Sequence, residues 1–210
     1  MDRIVVVGGG GHAKVVIGIL RKLKSYVIAG YVDVENRGVV LGVEYLGDDN
    51  VLGELIRGRG VRLAALGIGH ATDSEKRRKI CAVLREYGYE LPPLVSTDAI
   101  VNSEVVIGMA TVVMDGAVIN PCTRVDYGCI INTSASIDHD CKIGEFTHIG
   151  PGATLCGGVA VGPYSLVGAG TTVLPGITIG RSCTVAAGAT VVRNCKDGGC
   201  YMGTPARLLQ

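Results

Sequence analysis

The chain has 210 residues, 48% of them hydrophobic, which is enough for one large domain or two small ones around a sizeable core. Its 20 Lys and Arg nearly cancel 19 Asp and Glu, so charge gives no reason to expect nucleic acid or an anionic membrane as partner. Asp2 and Arg3 lead straight into an Ile-Val-Val-Val run and then glycines, unlike a signal peptide, and no apolar run approaches the roughly 20 residues that span a bilayer.

Residues 3–7 form a short β-branched run that predicts a buried parallel strand. Gly8 to Gly11 follow, and His12 to Leu20 reads as a helix. Strand, glycine turn and helix open a βαβ unit, in which bare backbone can approach a ligand and the helix N-terminus favours an anion. Val27 to Val32 is expected as the second strand, ending at Asp33, and Leu63 to Gly67 as a further one. Residues 73–87 predict a charged helix beginning at Thr72 or Asp73, with the Arg77-Arg78-Lys79 run on its solvated face.

Gly8, Gly10 and Ala13 fit the pattern G-x-G-x-x-A, with Asp33 about 20 residues on, as a dinucleotide site requires. The α/β region stops near residue 90, half of a doubly wound dinucleotide fold, so a single nucleotide is expected rather than NAD. His12, at the helix start, reads either as a phosphate contact or as a plain cap. Leu91-Pro92-Pro93-Leu94-Val95-Ser96 reads as a linker, because two prolines end a helix and start an extended chain. Residues 1–92 and 93–210 are therefore expected as separate domains.

From Ala99 the sequence cuts into sixteen consecutive hexads, and the third residue of every one, from Val101 to Val191, is Val, Ile or Leu. The first residue is almost always small. Each hexad supplies one short flat strand and one corner, with the branched residue inward and glycine or Asn turning the chain. No hexad buries enough surface alone, so stability comes from stacking. Three hexads close a triangular coil, and at about 4.8 Å per coil the prism is roughly 25 Å tall. Each buried Val or Ile contributes at most about 1.5–3 kcal/mol. The predicted fold is an α/β Rossmann-like N-terminal domain followed by an all-β solenoid.

The solenoid contains two histidines, His139 and His148. His139 stands in Ile137-Asp138-His139-Asp140-Cys141, flanked by carboxylates that can orient an imidazole and stabilise its cation. Alternation gives it the inward parity of Ile137, but its corner position lets the ring reach the surface. Its functional and purely hydrogen-bonding readings are balanced on the residues alone. Two histidines do not supply the three-histidine zinc site of a γ-carbonic anhydrase, so no metal is expected. The eight cysteines contain no C-x-x-C pair and read as reduced, buried thiols; a Cys195–Cys200 bridge stays open.

The hexads, the GGGGHAKVV opening, the strand ending GYVD, the GIGH segment at 67–70 and the closing Gly203-Thr204-Pro205-Ala206-Arg207 resemble one family over the whole chain. It is the hexapeptide-repeat family of sialic acid O-acetyltransferases and nucleotide-amino-sugar N-acetyltransferases, including bacillosamine- and perosamine-type enzymes. The resemblance implies a left-handed β-helix, a homotrimer, and acetyl-CoA as co-substrate between neighbouring helices. It implies transfer to the amine of a UDP- or GDP-linked 4-amino-deoxysugar held by the N-terminal domain, in a cytoplasmic enzyme. O-acetylation of a sialic acid or another sugar hydroxyl is the alternative.

The same resemblance implies His139 as general base with Asp140 as its helper. It sets His148 beside the acetyl group, the Gly157 amide on the thioester carbonyl, and Ala187 against the pantetheine arm, where the family often has glycine. It sets Asn132 near the reactive amine, His12 and Lys14 near the acceptor phosphates, Asp33 near its base, and Gly67 to Gly69 along the nucleotide, with Gly10 among the acceptor-binding residues. Lys196 and Arg207 read either as CoA phosphate contacts or as surface charges.

Overall fold

The computed structural model describes residues 1–70 and 74–209. The chain divides into two compact units, one from residues 1–70 and 75–96, the other from Thr97 onward.

In the first unit β1 (Asp2–Val7), α1 (Gly11–Leu23), β2 (Tyr26–Val32), β3 (Tyr45–Gly47), α2 (Leu52–Gly58), β4 (Leu63–Leu66) and α3 (Glu75–Glu86) follow in order. The four strands form a parallel sheet ordered β3-β2-β1-β4. Ile4, Val5, Val6 and Val7 are at most 1% exposed, which is why β1 is an unbroken β-branched run. Helix α1 buries Ala13, Val16, Ile17 and Leu20, one face at helical spacing. The chain runs outward from β1 through β2 to β3 and then returns to place β4 on the other side of β1, so the C-terminal ends of β1 and β4 flank a topological switch point. There the two strands close to the limit: a Cβ on Gly8 (φ +111°) would lie 2.8 Å from the Gly67 carbonyl carbon.

In this unit the structure adds elements to the sequence reading and revises one expectation. Strand β3 and helix α2 occupy a stretch that carries no readable periodicity, three and seven residues long. The linker contains a two-residue strand, Leu94–Val95, with Leu94 buried. Arg77 is not on the solvated face of α3: it is 0% exposed, whereas Arg78 and Lys79 are exposed as expected. Periodicity places a residue on a face, but it does not reveal that backbone carbonyls wait beneath. The proposed helix starts, Thr72 and Asp73, lie outside the described residues.

The second unit is a left-handed parallel β-helix. Strands of two residues pair in parallel with those one coil away, as Ser136 with Thr154 and His148 with Leu166, a step of eighteen residues. The first face carries 118–119, 136–137 and 154–155; the second 124–125, 142–143 and 160–161; the third 130–131, 148–149 and 166–167. The third hexad residues fill the core, except that Val101 is 36% exposed and Ile107 half-buried. Both lie in the first coil, where stacking is one-sided.

The first hexad residues do more than fit. Thr111, Thr123, Thr147, Ser165 and Thr171 are buried and donate their hydroxyls to the corner carbonyls of Asp126, Asp138, Gly162, Gly180 and Ala186. The Cys129 and Cys141 thiols do the same to Gly144 and Cys156. The expectation that glycine or Asn turns the chain is too narrow. The sixth residue of the hexad takes positive φ at Gly116 and Gly152, and equally at Ser134, Asp140, Phe146 and Tyr164. The coil's closure forces the left-handed conformation on whatever residue the sequence supplies. The top of the tube ends in Cys200–Met202, which pairs antiparallel with Arg207–Leu208.

Candidate active site

His139 and Asp140 occupy the corner between the first and second faces of the third coil. The His139 side chain is 60% exposed, so the corner overrides its inward parity. Its Nδ1–H donates to Asp140 Oδ2 at 2.8 Å, which leaves Nε2 as the outward atom able to take a proton. The hydrogen bond to Asp140 raises the imidazole pKa above its ordinary value, and the Asp138 charge adds to this. Asp138 in turn accepts from the His139 amide at 2.8 Å and from Asn120 Nδ2 at 3.0 Å, and these bonds hold its own pKa down.

The backbone of this corner is fixed from the coils on both sides. Thr123 Oγ1 donates to the Asp138 carbonyl at 2.8 Å and accepts from the Cys141 amide at 3.1 Å, bracketing the two catalytic candidates. The Asp140 amide donates to the Pro121 carbonyl, and the His139 carbonyl accepts from the Gly158 amide. One coil above, Gly157 faces the ring: a Cβ there would lie 2.6 Å from His139 Cε1 and Nε2.

Asn132 and His148 belong to a different part of the tube. His148 lies in the strand of the third face, and Asn132 follows the strand one coil below. Asn132 Nδ2 and His148 Nε2 are 2.9 Å apart, which orients this ring as Asp140 orients the other. His148 follows His139 by nine residues, half of an eighteen-residue coil. The third face is opposite the corner between the first two, so one chain holds its two imidazoles on opposite sides of its tube. Ala187 is exposed at the corner between the third and first faces, its amide nitrogen 2.5 Å from a would-be Cβ on Gly168.

In the first unit a cavity of about 290 Å³ opens at the switch point and is lined by Gly10, His12, Asp33, Gly67, Gly69 and also Lys76. Gly69 packs so closely that an added Cβ would be 3.3 Å from His12 Cβ. Asp33 accepts from the Gly9 amide at 2.7 Å and from Arg37 Nε at 3.3 Å. Burial pushes its carboxyl pKa up, but the Gly9 and Glu35 amides and Arg37 outweigh that and hold it below 3.8. Lys14 is exposed on α1 and is not part of the lining. Arg37, Glu35 and Lys76 line the cavity without having been singled out in the sequence; Arg37, four residues after Asp33, was the available signal.

Lys196 and Arg207 lie near the top of the tube; the Lys196 amide donates to Tyr201 Oη at 2.7 Å and Arg207 is paired with Met202 in the closing hairpin. Cys195 and Cys200 are not bridged, and neither are the other six cysteines. Among the described residues no group of three His, Cys, Asp or Glu side chains is arranged to hold a metal.

Residues 3–84 match the family model of the PglD N-terminal domain, and residues 140–174 match that of the bacterial transferase hexapeptide (six repeats). PerB from Caulobacter crescentus, solved with CoA and GDP-perosamine, is 38% identical over 100% of this chain and 98% of its own, with a TM-score of 0.93. The chain belongs to the hexapeptide-repeat nucleotide-amino-sugar N-acetyltransferase family. The acetyltransferase domain of PglB from Neisseria gonorrhoeae, solved with acetyl coenzyme A, is 33% identical over 99% of both chains, with a TM-score of 0.89. WeeI from Acinetobacter baumannii, at 21% identity and a TM-score of 0.87, shares the fold. No curated protein matches the chain.

Proposed function

We propose that this protein transfers the acetyl group of acetyl-CoA to the amine of a UDP- or GDP-linked 4-amino-deoxysugar. The observation that carries the reading is the His139–Asp140 pair: an exposed imidazole tied through Nδ1, with Nε2 free beside a glycine. Nε2 takes the proton from the acceptor amine as nitrogen attacks the thioester carbon. The Gly157 amide donates to the carbonyl oxygen, where negative charge develops. The tetrahedral intermediate then collapses: the carbon–sulfur bond breaks, the His139 proton passes to the departing thiolate, and the amide remains on the sugar. Asp140 stabilises the imidazolium between the two proton transfers.

The acceptor's nucleotide occupies the cavity of the first unit. His12 and the open first turn of α1, capped at Gly10 without a side-chain bond, meet its phosphates. Asp33 holds the wall on the side of its base. Asn132 and His148 border the acetyl group, and Ala187 offers backbone to the pantetheine arm.

The working unit is a homotrimer. Support comes from the opposed positions of His139 and His148: a threefold arrangement lets the corner of one tube meet the third face of the next, which no single chain accomplishes. Eight unbridged thiols fit a reducing, cytoplasmic setting.

The test is a panel of UDP- and GDP-linked 4-amino sugars and their 4-hydroxy counterparts with acetyl-CoA, read by mass spectrometry. An amide product from at least one amino sugar, lost in His139→Ala with assembly intact, is expected. Acetylation of hydroxyls alone sinks the reading.

A further inference from the structure

Arg77 is the only charged residue among the described residues that is fully buried. It sits in the first turn of α3, directly after Lys76, which lines the acceptor cavity. Its Nη1 donates to the Ile68 carbonyl at 2.6 Å and stands 3.5 Å from the Leu66 carbonyl. Those carbonyls flank Gly67 and precede Gly69, two glycines of the same cavity wall. Taking a guanidinium out of water is costly, so a mere connection would not hold one there. An apolar side chain would fill the same space but leave the carbonyls without that donor.

The loop needs an external brace. Glycines at 67 and 69 give it wide backbone freedom and leave only Leu66 and Ile68 to anchor it by side chain. Yet its tolerances are tight, since a Cβ on Gly67 would lie 2.7 Å from the Gly8 carbonyl oxygen and 2.9 Å from Ala13 Cβ. The Gly67 amide is fixed to the Val7 carbonyl at 2.8 Å on one side, and Arg77 fixes the loop from the other.

We propose that Arg77 is a positioning residue for the acceptor. It locks the Leu66–Gly69 strand end against His12 so that the cavity is preformed for the nucleotide diphosphate portion of the substrate. This rests on the reading of that cavity as the acceptor site. Because the loop stands ordered before the ligand arrives, binding does not have to supply the ordering entropy. The role concerns acceptor capture and leaves the His139 chemistry untouched.

The experiment uses the full-length protein with Arg77→Lys and Arg77→Met. Lysine keeps a cation but ends in a tetrahedral ammonium, which does not reproduce the planar Nη1 geometry at the Ile68 and Leu66 carbonyls. UDP and GDP binding is measured by calorimetry, steady-state kinetics give KM for each substrate, and circular dichroism checks folding. The lysine variant is expected to bind nucleotide about tenfold more weakly, the methionine variant weaker still. KM for acetyl-CoA stays as in the wild type, and kcat recovers at saturating acceptor. If the methionine variant fails to fold, the lysine variant decides. Wild-type nucleotide affinity in a folded Arg77 variant, or loss of kcat with both KM values unchanged, overturns the positioning role alone. Failure of the wild type to bind either nucleotide overturns the acceptor-cavity reading and this role with it.

Discussion

Gly157 lies against the imidazole of His139 so closely that a single added carbon would be 2.6 Å from its Nε2. Those two residues are one eighteen-residue coil apart, so the contact follows from stacking and is invisible to any local reading of the sequence. Gly157→Ala is therefore expected to turn the ring away from its working geometry while leaving the coil intact. A displacement near 1 Å at the reacting atoms costs on the order of 10²-fold in rate. Steady-state kinetics with both substrates saturating check this, and an alanine variant that keeps wild-type kcat removes the ring from the reaction.

The pH profile carries the next expectation. In the proposed role His139 takes a proton only when neutral, and the Asp140 hydrogen bond and then the Asp138 charge raise its pKa above the ordinary 6.5. The rate accordingly climbs with pH through that raised value and levels off above it. Asp140→Asn removes the largest raising influence, so the climbing limb moves to lower pH. The plateau also falls, by about 10–100-fold, because the base is weaker and its ring less well oriented. Asp138→Asn moves the limb in the same direction. A limb that stays in place in both variants assigns it to another group.

What was legible in the sequence follows from the range of the forces involved. The third hexad residues declare the solenoid because each strand repeats the same inward contact, as at Ile131, Ile137 and Ile143. Strand β1 and helix α1 were readable for the same reason, an uninterrupted apolar run and an apolar face. Arg77 was misread because burial of a charge depends on carbonyls nine and eleven residues away that no pattern announces. The Thr123 bracket around His139 was missed likewise, since threonine at the first hexad position reads only as small. The His139–Asp140 pair was visible as neighbours, whereas the separation of His139 from His148 required counting residues around a coil.

That separation makes a direct prediction about assembly. If each active site draws His139 from one subunit and His148 from the next, the single variants His139→Ala and His148→Ala complement each other. In randomly mixed trimers about one quarter of sites carry both intact histidines. Co-refolding equal amounts of the two weak variants is expected to recover about that fraction of wild-type activity. Tandem affinity tags isolate the mixed species. Mixed trimers no more active than their parents mean that both histidines serve within one chain or in separate tasks.

The last prediction concerns Asp33 and the glycine turn. Its carboxylate is 12% exposed and accepts from the Gly9 amide at 2.7 Å. The Gly9 and Glu35 amides with Arg37 outweigh its burial, so the folded-state pKa lies below 3.8. A depressed carboxyl pKa contributes stability that is fully present above the unfolded value near 3.8 and lost as pH falls through the folded one. Asp33→Ala leaves the Gly9 amide without this acceptor and is expected to cost about 1–3 kcal/mol at neutral pH. In urea titrations the gap between wild type and variant should narrow below the 3.8 reference, because the protonated wild type no longer holds that advantage. Nucleotide affinity should fall in parallel, since Gly8 to Gly10 then sample positions that the bound diphosphate must select. A gap that persists unchanged into acid would show that Asp33 stabilises the turn through packing, independently of its charge.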